Sequence, residues 1–106
     1  MATKKDYLDY ILQQLSGLEG ITYRPMMGEY ILYYQGSIAA YLCDDRLLVK
    51  PVPEAIRQMP DAPMVPPYPG AGEMLLVEQV DDSAFLTALF EGILPQLSPP
   101  KRRKTK

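Results

Sequence analysis

Apolar residues mark the chain into short segments of two kinds. Near the N-terminus, Leu8, Ile11, Leu12, Leu15 and Leu18 recur at steps of three, four and seven. That spacing places them on one face of a 3.6-residue period and predicts an amphipathic helix. Thr3 stands where a cap is wanted, with Asp6 three residues on, and Gly17 and Gly20 supply stop signals. From Ile21 the pattern changes to β-branched and aromatic runs: ITYRPMM, EYILYY, SIAAYLC and RLLVKP. These read as four strands joined by turns at Gly28, Gln35-Gly36-Ser37 and Asp44-Asp45. Pro25 lacks the ladder donor, so an edge, a strand end or a bulge is expected there. PEAIRQM reads as a short helix with Pro53 in its first turn. Five prolines between Pro60 and Pro69 then predict an extended loop with little regular structure. EMLLVEQV is a further strand, and DDSAFLTALFEGIL a helix capped by Asp81 or Asp82. Its apolar face is Phe85, Leu86, Leu89, Phe90 and Ile93, and Pro95 ends it.

Closely spaced strands with short turns argue for an antiparallel meander. The expected architecture is α+β in two layers: a sheet of about five strands with N-terminal, short middle and C-terminal helices packed on it. With 106 residues there is room for one domain, placed at residues 1–98, and residues 99–106 are expected to form a mobile basic tail.

Composition narrows the chemistry. There is no histidine, which removes the commonest general base and the commonest zinc ligand. Cys43 is the single cysteine, so no internal disulfide can form. Met26, Met27, Met59, Met64 and Met74 are too dispersed for a Cu(I) site and read as core filler. The Gly70–Gly72 run lacks both the dinucleotide fingerprint and the P-loop lysine. Asp44-Asp45 and Asp81-Asp82 are accounted for by turn and cap chemistry. The expectation is a protein without enzymatic activity, cofactor or metal. No apolar run is long enough to span a membrane, and Asp6 and Asp9 interrupt any signal-peptide pattern, so a cytoplasmic protein is expected.

Charge is uneven. Residues 1–100 hold six basic and thirteen acidic groups, a net −7, whereas KRRKTK holds five basic residues. An acidic body disfavours broad binding to nucleic acid, but Lys101, Arg102, Arg103 and Lys104 are suited to contact phosphate. Tyrosines concentrate in the sheet: Tyr30 and Tyr34 share a strand face with Leu32, and Tyr33 shares the other with Ile31. Tyr23 and Tyr41 sit on neighbouring strands. Either they line a half-buried sheet, or they form an interface or a base-stacking platform.

Arg24-Pro25-Met26-Met27-Gly28-Glu29-Tyr30-Ile31-Leu32-Tyr33, then Gly36, then Asp45-Arg46-Leu47-Leu48-Val49-Lys50 resemble the N-terminal domain of the TfoX/Sxy competence regulators. The resemblance covers about residues 5–95. Met27 stands where that family often has phenylalanine, and Glu29 and Ile31 replace glycines. It implies a fold like that of small secretion chaperones and no known catalytic residues. It also implies a regulatory role in expression of DNA-transformation genes, exercised through protein contacts with the transcription machinery or its regulators. The full regulators carry a C-terminal domain for which these 106 residues leave no room, so a stand-alone first domain is expected. Arg24, Met27, Tyr30, Tyr33, Tyr34 and Lys50 are the expected contact residues, Gly28 and Gly36 the structural glycines. A homodimer through the sheet or its edge is a further expectation. The alternative is a nucleic-acid-binding accessory protein using the tail and the sheet tyrosines.

Overall fold

The computed structural model describes residues 3–98. Helix α1 (Lys5–Gln14) leads into β1 (Ile21–Met26), β2 (Glu29–Tyr34), β3 (Ser37–Leu42) and β4 (Leu47–Val49). Helix α2 (Pro53–Gln58), β5 (Met64–Val65), β6 (Met74–Val77) and α3 (Ser83–Ile93) follow, and a 3-10 turn at Leu94–Gln96 ends the series. The sheet has six strands in the order β1-β2-β3-β4-β6-β5, and every pairing is antiparallel. The expected count of about five rises because Met64–Val65, inside the proline-rich stretch, pairs with Leu75 and Met74. Lys101, Arg102, Arg103 and Lys104 lie outside the described residues.

Three two-residue turns build the meander. Met27-Gly28, Gln35-Gly36 and Asp44-Asp45 all have positive φ at both positions, from 52° to 86°. That is the turn geometry whose twist matches right-handed strands. Glycine fits the second position of the first two turns because no Cβ opposes φ values of 86° and 85°. Cys43 and Arg46 close the third turn with reciprocal backbone hydrogen bonds of 3.0 Å.

Register lays side chains in rows. Tyr23, Leu32, Ala40, Val49 and Leu75 oppose one another across the sheet, as do Tyr30, Leu42, Leu47 and Val77. These rows face the helices. Leu8, Ile11 and Leu15 from α1, Ala55 from α2, and Leu86, Leu89, Phe90 and Ile93 from α3 complete one buried core. A β-bulge shifts the β2–β3 register between Leu32 and Tyr33, leaving Ala39 without a β2 partner. The Ala39 carbonyl instead accepts the Lys50 N–H at 3.1 Å.

Two helix starts differ in kind. Asp82 caps α3, accepting the Phe85 N–H at 3.0 Å. Thr3, expected to cap α1, does not: the cap residue is Lys4, without a side-chain bond. Thr3 is buried, and its hydroxyl lies 2.6 Å from Glu29 Oε1. A buried hydroxyl beside a carboxylate gains a charge-assisted bond that an exposed helix start cannot offer.

Candidate interaction face

Among the described residues, the sheet's second face carries no helix. Its central row is Arg24, Ile31, Tyr41, Leu48 and Leu76, with Thr22, Tyr33 and Ile38 in the row beside it. Toward β4 and β6 this face has a small core of its own. Cys43, Leu48 and Met74 are buried there, with Tyr41, Val65 and Leu76 packed against them. The proline-rich segment supplies the cover: Pro67 and Tyr68 wall one hollow with Tyr41 and Lys50, and another with Glu29 and Arg46. Proline suits that duty, since a strap over a sheet face gains rigidity without needing ladder donors.

Toward β1–β3 the strap stops. Ile31, Tyr33, Ile38 and Tyr41 are half-buried there, and Thr22 and Arg24 are exposed. Aliphatic and aromatic side chains thus reach solvent beside one cation. Burial first, then neighbouring Tyr68, Tyr33 and Cys43, push the Tyr41 hydroxyl up from its ordinary value, so it is a neutral donor at physiological pH. Burial, with Glu29 and Asp44 adding and Arg46 opposing, pushes the Cys43 thiol up to about 11. A thiol held protonated in this way is a poor nucleophile near neutral pH.

The residues expected to make contacts are divided by the fold. Arg24 and Tyr33 lie on the open face. Met27 is 95% exposed at the tip of the first turn. Lys50 follows β4, at the wall of the hollow under the proline strap. Tyr30 points to the helix side, where it meets Tyr23 edge-on at 5.7 Å between ring centroids. Tyr34 is a correction: it is buried, 6.3 Å from the Phe90 ring, and no partner can touch it in the folded chain. Alternation separates Tyr33 from Tyr34, but only the covering helix decides which is hidden. Ile31, Ile38 and Tyr68 were not among the expected contacts. Alternation puts Ile31 beside Tyr33, but the bulge and the strap that bring Ile38 and Tyr68 there have no local sequence signal.

Among the described residues, no group of three or more Cys, Asp or Glu is placed to hold a metal ion, and no helix is long and apolar enough to cross a membrane. No solved structure matches the chain. A protein of Spirochaeta aurantia, described as an uncharacterized 12.7 kDa protein in the trpE 5' region, is 32% identical over 108 residues, covering 100% of this chain and 93% of the relative. The profile of the TfoX N-terminal domain matches residues 13–85, from the last two residues of α1 through the whole sheet to the start of α3. The Arg24–Tyr33 hairpin and the Asp45–Lys50 strand that carry the resemblance both fall inside this match, and the chain belongs to the TfoX N-terminal domain family.

Proposed function

We propose that the chain is a non-enzymatic interaction module of regulatory type, and that it receives a protein partner on the open half of the helix-free sheet face. The observation that carries this reading is the unequal cover of that face. A proline strap closes its β4–β6 half, while Ile31, Tyr33, Ile38 and Tyr41 remain half-buried beside exposed Arg24. Tyrosine and arginine among aliphatics are the residue types that anchor protein interfaces. On this reading the setting is the one the family resemblance implies, regulation of competence genes through the transcription machinery or its regulators, in the cytoplasm. The acidic net charge of residues 1–100 favours a protein partner over a nucleic-acid backbone.

The test is a photoreactive amino acid placed at Tyr33 and, as a control, at Asp9 on the exposed side of α1. The expected result is a discrete adduct from Tyr33 in cells, absent from Asp9 and lost in an Ile31→Lys background. Transcript profiles of a Tyr33→Glu strain should match those of a strain lacking the gene. Equal labelling from both positions, or no adduct from Tyr33, would remove the reading.

A further inference from the structure

The six basic residues among residues 3–98 are not used alike. Lys4 pairs with Asp45 at 3.2 Å, Lys5 with Asp9 at 3.5 Å, and Arg57 with Glu54. Arg46 is turned back on its own turn, where its Nε donates to the Cys43 carbonyl at 3.3 Å. Arg24 and Lys50 remain, and neither makes an ion pair among the described residues. Both stand on the helix-free face. Arg24 begins the row that continues through Ile31, Tyr41 and Leu48. Lys50 follows Leu48 by two residues, so alternation puts it on the same side of the sheet. Three strand spacings and two residues separate the two cations, about 16 Å between Cα atoms. Ile31 and Tyr33 on β2 and Ile38 and Tyr41 on β3 occupy the interval.

Lys50 also walls an open hollow of about 310 Å³ beneath the proline strap, with Tyr41, Tyr68 and Glu73. An ammonium beside two tyrosines is a donor set suited to a carboxylate. The acids that border the strip do not occupy these donors. Glu29 Oε1 already accepts from the Thr3 hydroxyl and the Asp44 N–H. Glu73 is exposed and makes no ion pair with Lys50.

We infer that the segment received by the open face is an acidic peptide, an apolar stretch laid on Ile31, Tyr33 and Ile38 with one carboxylate in the Lys50 hollow and another on Arg24. The inference rests on the reading of the open half as a docking surface, and specifies the chemistry of what docks there. Charge complementarity carries it. Residues 1–100 are net −7, yet both unpaired cations stand at the ends of this one strip. An extended chain covers about 16 Å in five residues, so two acids five positions apart meet the two cations. A nucleic-acid strand fits less well. It would carry phosphates past Glu29, Asp44 and Glu73, and Ile31 and Ile38 give its bases no ring to stack on.

The test is an NMR titration of the full, isotope-labelled chain with three probes. They are the capped peptide Glu-Leu-Phe-Leu-Leu-Glu, its counterpart Lys-Leu-Phe-Leu-Leu-Lys, and an oligothymidylate. The acidic peptide is expected to shift the amides of Ile31, Tyr33, Ile38 and Lys50 to saturation, and the other two probes to leave them in place. Arg24→Gln and Lys50→Gln should each weaken that binding several-fold, Lys50→Arg should retain it, and Glu73→Gln should strengthen it. Added salt should weaken it in the parent chain. Equal response to the acidic and the basic peptide overturns the inference and leaves the docking surface standing. Binding of the oligothymidylate alone overturns it in favour of a nucleic acid. Silence toward all three probes overturns it too, and the adduct from Tyr33 then decides the docking surface separately.

Discussion

Met27 holds a left-handed backbone, φ 52°, at a turn tip where 95% of its surface is exposed. Such a conformation costs a side-chain-bearing residue about 1–2 kcal/mol, and at this site no packing offsets it. Met27→Gly is therefore expected to stabilise the fold by about 1 kcal/mol, raising the melting temperature by about 4–8 °C for a domain of this size. A thermal melt checks the sign, and a fall in melting temperature would show that Met27 makes a contact that supports the turn. Gly28 and Gly36 were legible from the sequence because turn chemistry is local: a glycine between alternating runs has few other uses. Tyr33 and Tyr34 show the limit of local reading. Their opposite orientation follows from the pleat, but Tyr34 is buried because α3 places Phe90 over it, 56 residues along the chain. Thr3 was misread for the same reason. Its competing partner, Glu29, lies 26 residues away, and a half-buried carboxylate contact outweighed an exposed cap.

At the scale of elements, the helices and the four-strand meander were readable because each carries its own period or turn. What could not be read was the insertion of β6 between β4 and β5, which rests on pairings across the proline-rich stretch. A two-residue strand such as Met64–Val65 has no periodicity to detect, and flanking prolines argue against one. The contact between α2 and α3 is likewise hidden in the sequence. A Cβ on Gly92 would lie 2.7 Å from Gln58 Nε2 and 3.1 Å from Glu54 Cγ, so the helices approach where Gly92 leaves space. Around that point Glu54 accepts from Arg57 Nε at 2.9 Å and from Gln58 Nε2 at 2.9 Å. Those two bonds, Arg57 first, hold the Glu54 carboxyl down at about 2. Gly92→Val should force the Glu54 stem and the Gln58 amide aside, costing about 1–3 kcal/mol through overpacking. Chemical denaturation measures the loss. An NMR titration should show the Glu54 carboxyl moving up toward its ordinary value as the Gln58 bond breaks. A variant as stable as the parent, with Glu54 unmoved, would mean that α2 shifts as a body without cost.

At the scale of the whole molecule, Thr3 and Lys4 are tied to two hairpin turns far from them in sequence. The Thr3 N–H donates to the Gly28 carbonyl at 3.0 Å, and the Thr3 hydroxyl accepts the Asp45 N–H at 3.2 Å. Glu29 Oε1 accepts the Asp44 N–H at 3.0 Å as well as the Thr3 hydroxyl. Asp45 in turn accepts the Lys4 N–H at 2.9 Å and the Lys4 ammonium at 3.2 Å. The first and third turns of the meander and the start of α1 are thus one hydrogen-bonded clasp. Thr3→Val keeps the shape but leaves the Asp45 N–H without its acceptor and removes one of the two donors to Glu29 Oε1. The expected cost is about 1–3 kcal/mol, and Thr3→Ser should recover most of it. The clasp is also sensitive to acid. The Lys4 backbone bond first, and its side chain next, lower the Asp45 carboxyl below its ordinary 3.8. A carboxyl lowered by folding stabilises the folded state above its unfolded value, and that contribution is lost as pH falls through the folded value. Stability from this contact should therefore be complete above about pH 5 and decline below about pH 4. Amide exchange of Lys4 reports on it directly. Its protection should fall in acid before that of core strand β3, and in Asp45→Asn the acid dependence of Lys4 should flatten. Equal loss of protection at Lys4 and β3 would mean that the clasp opens only with global unfolding.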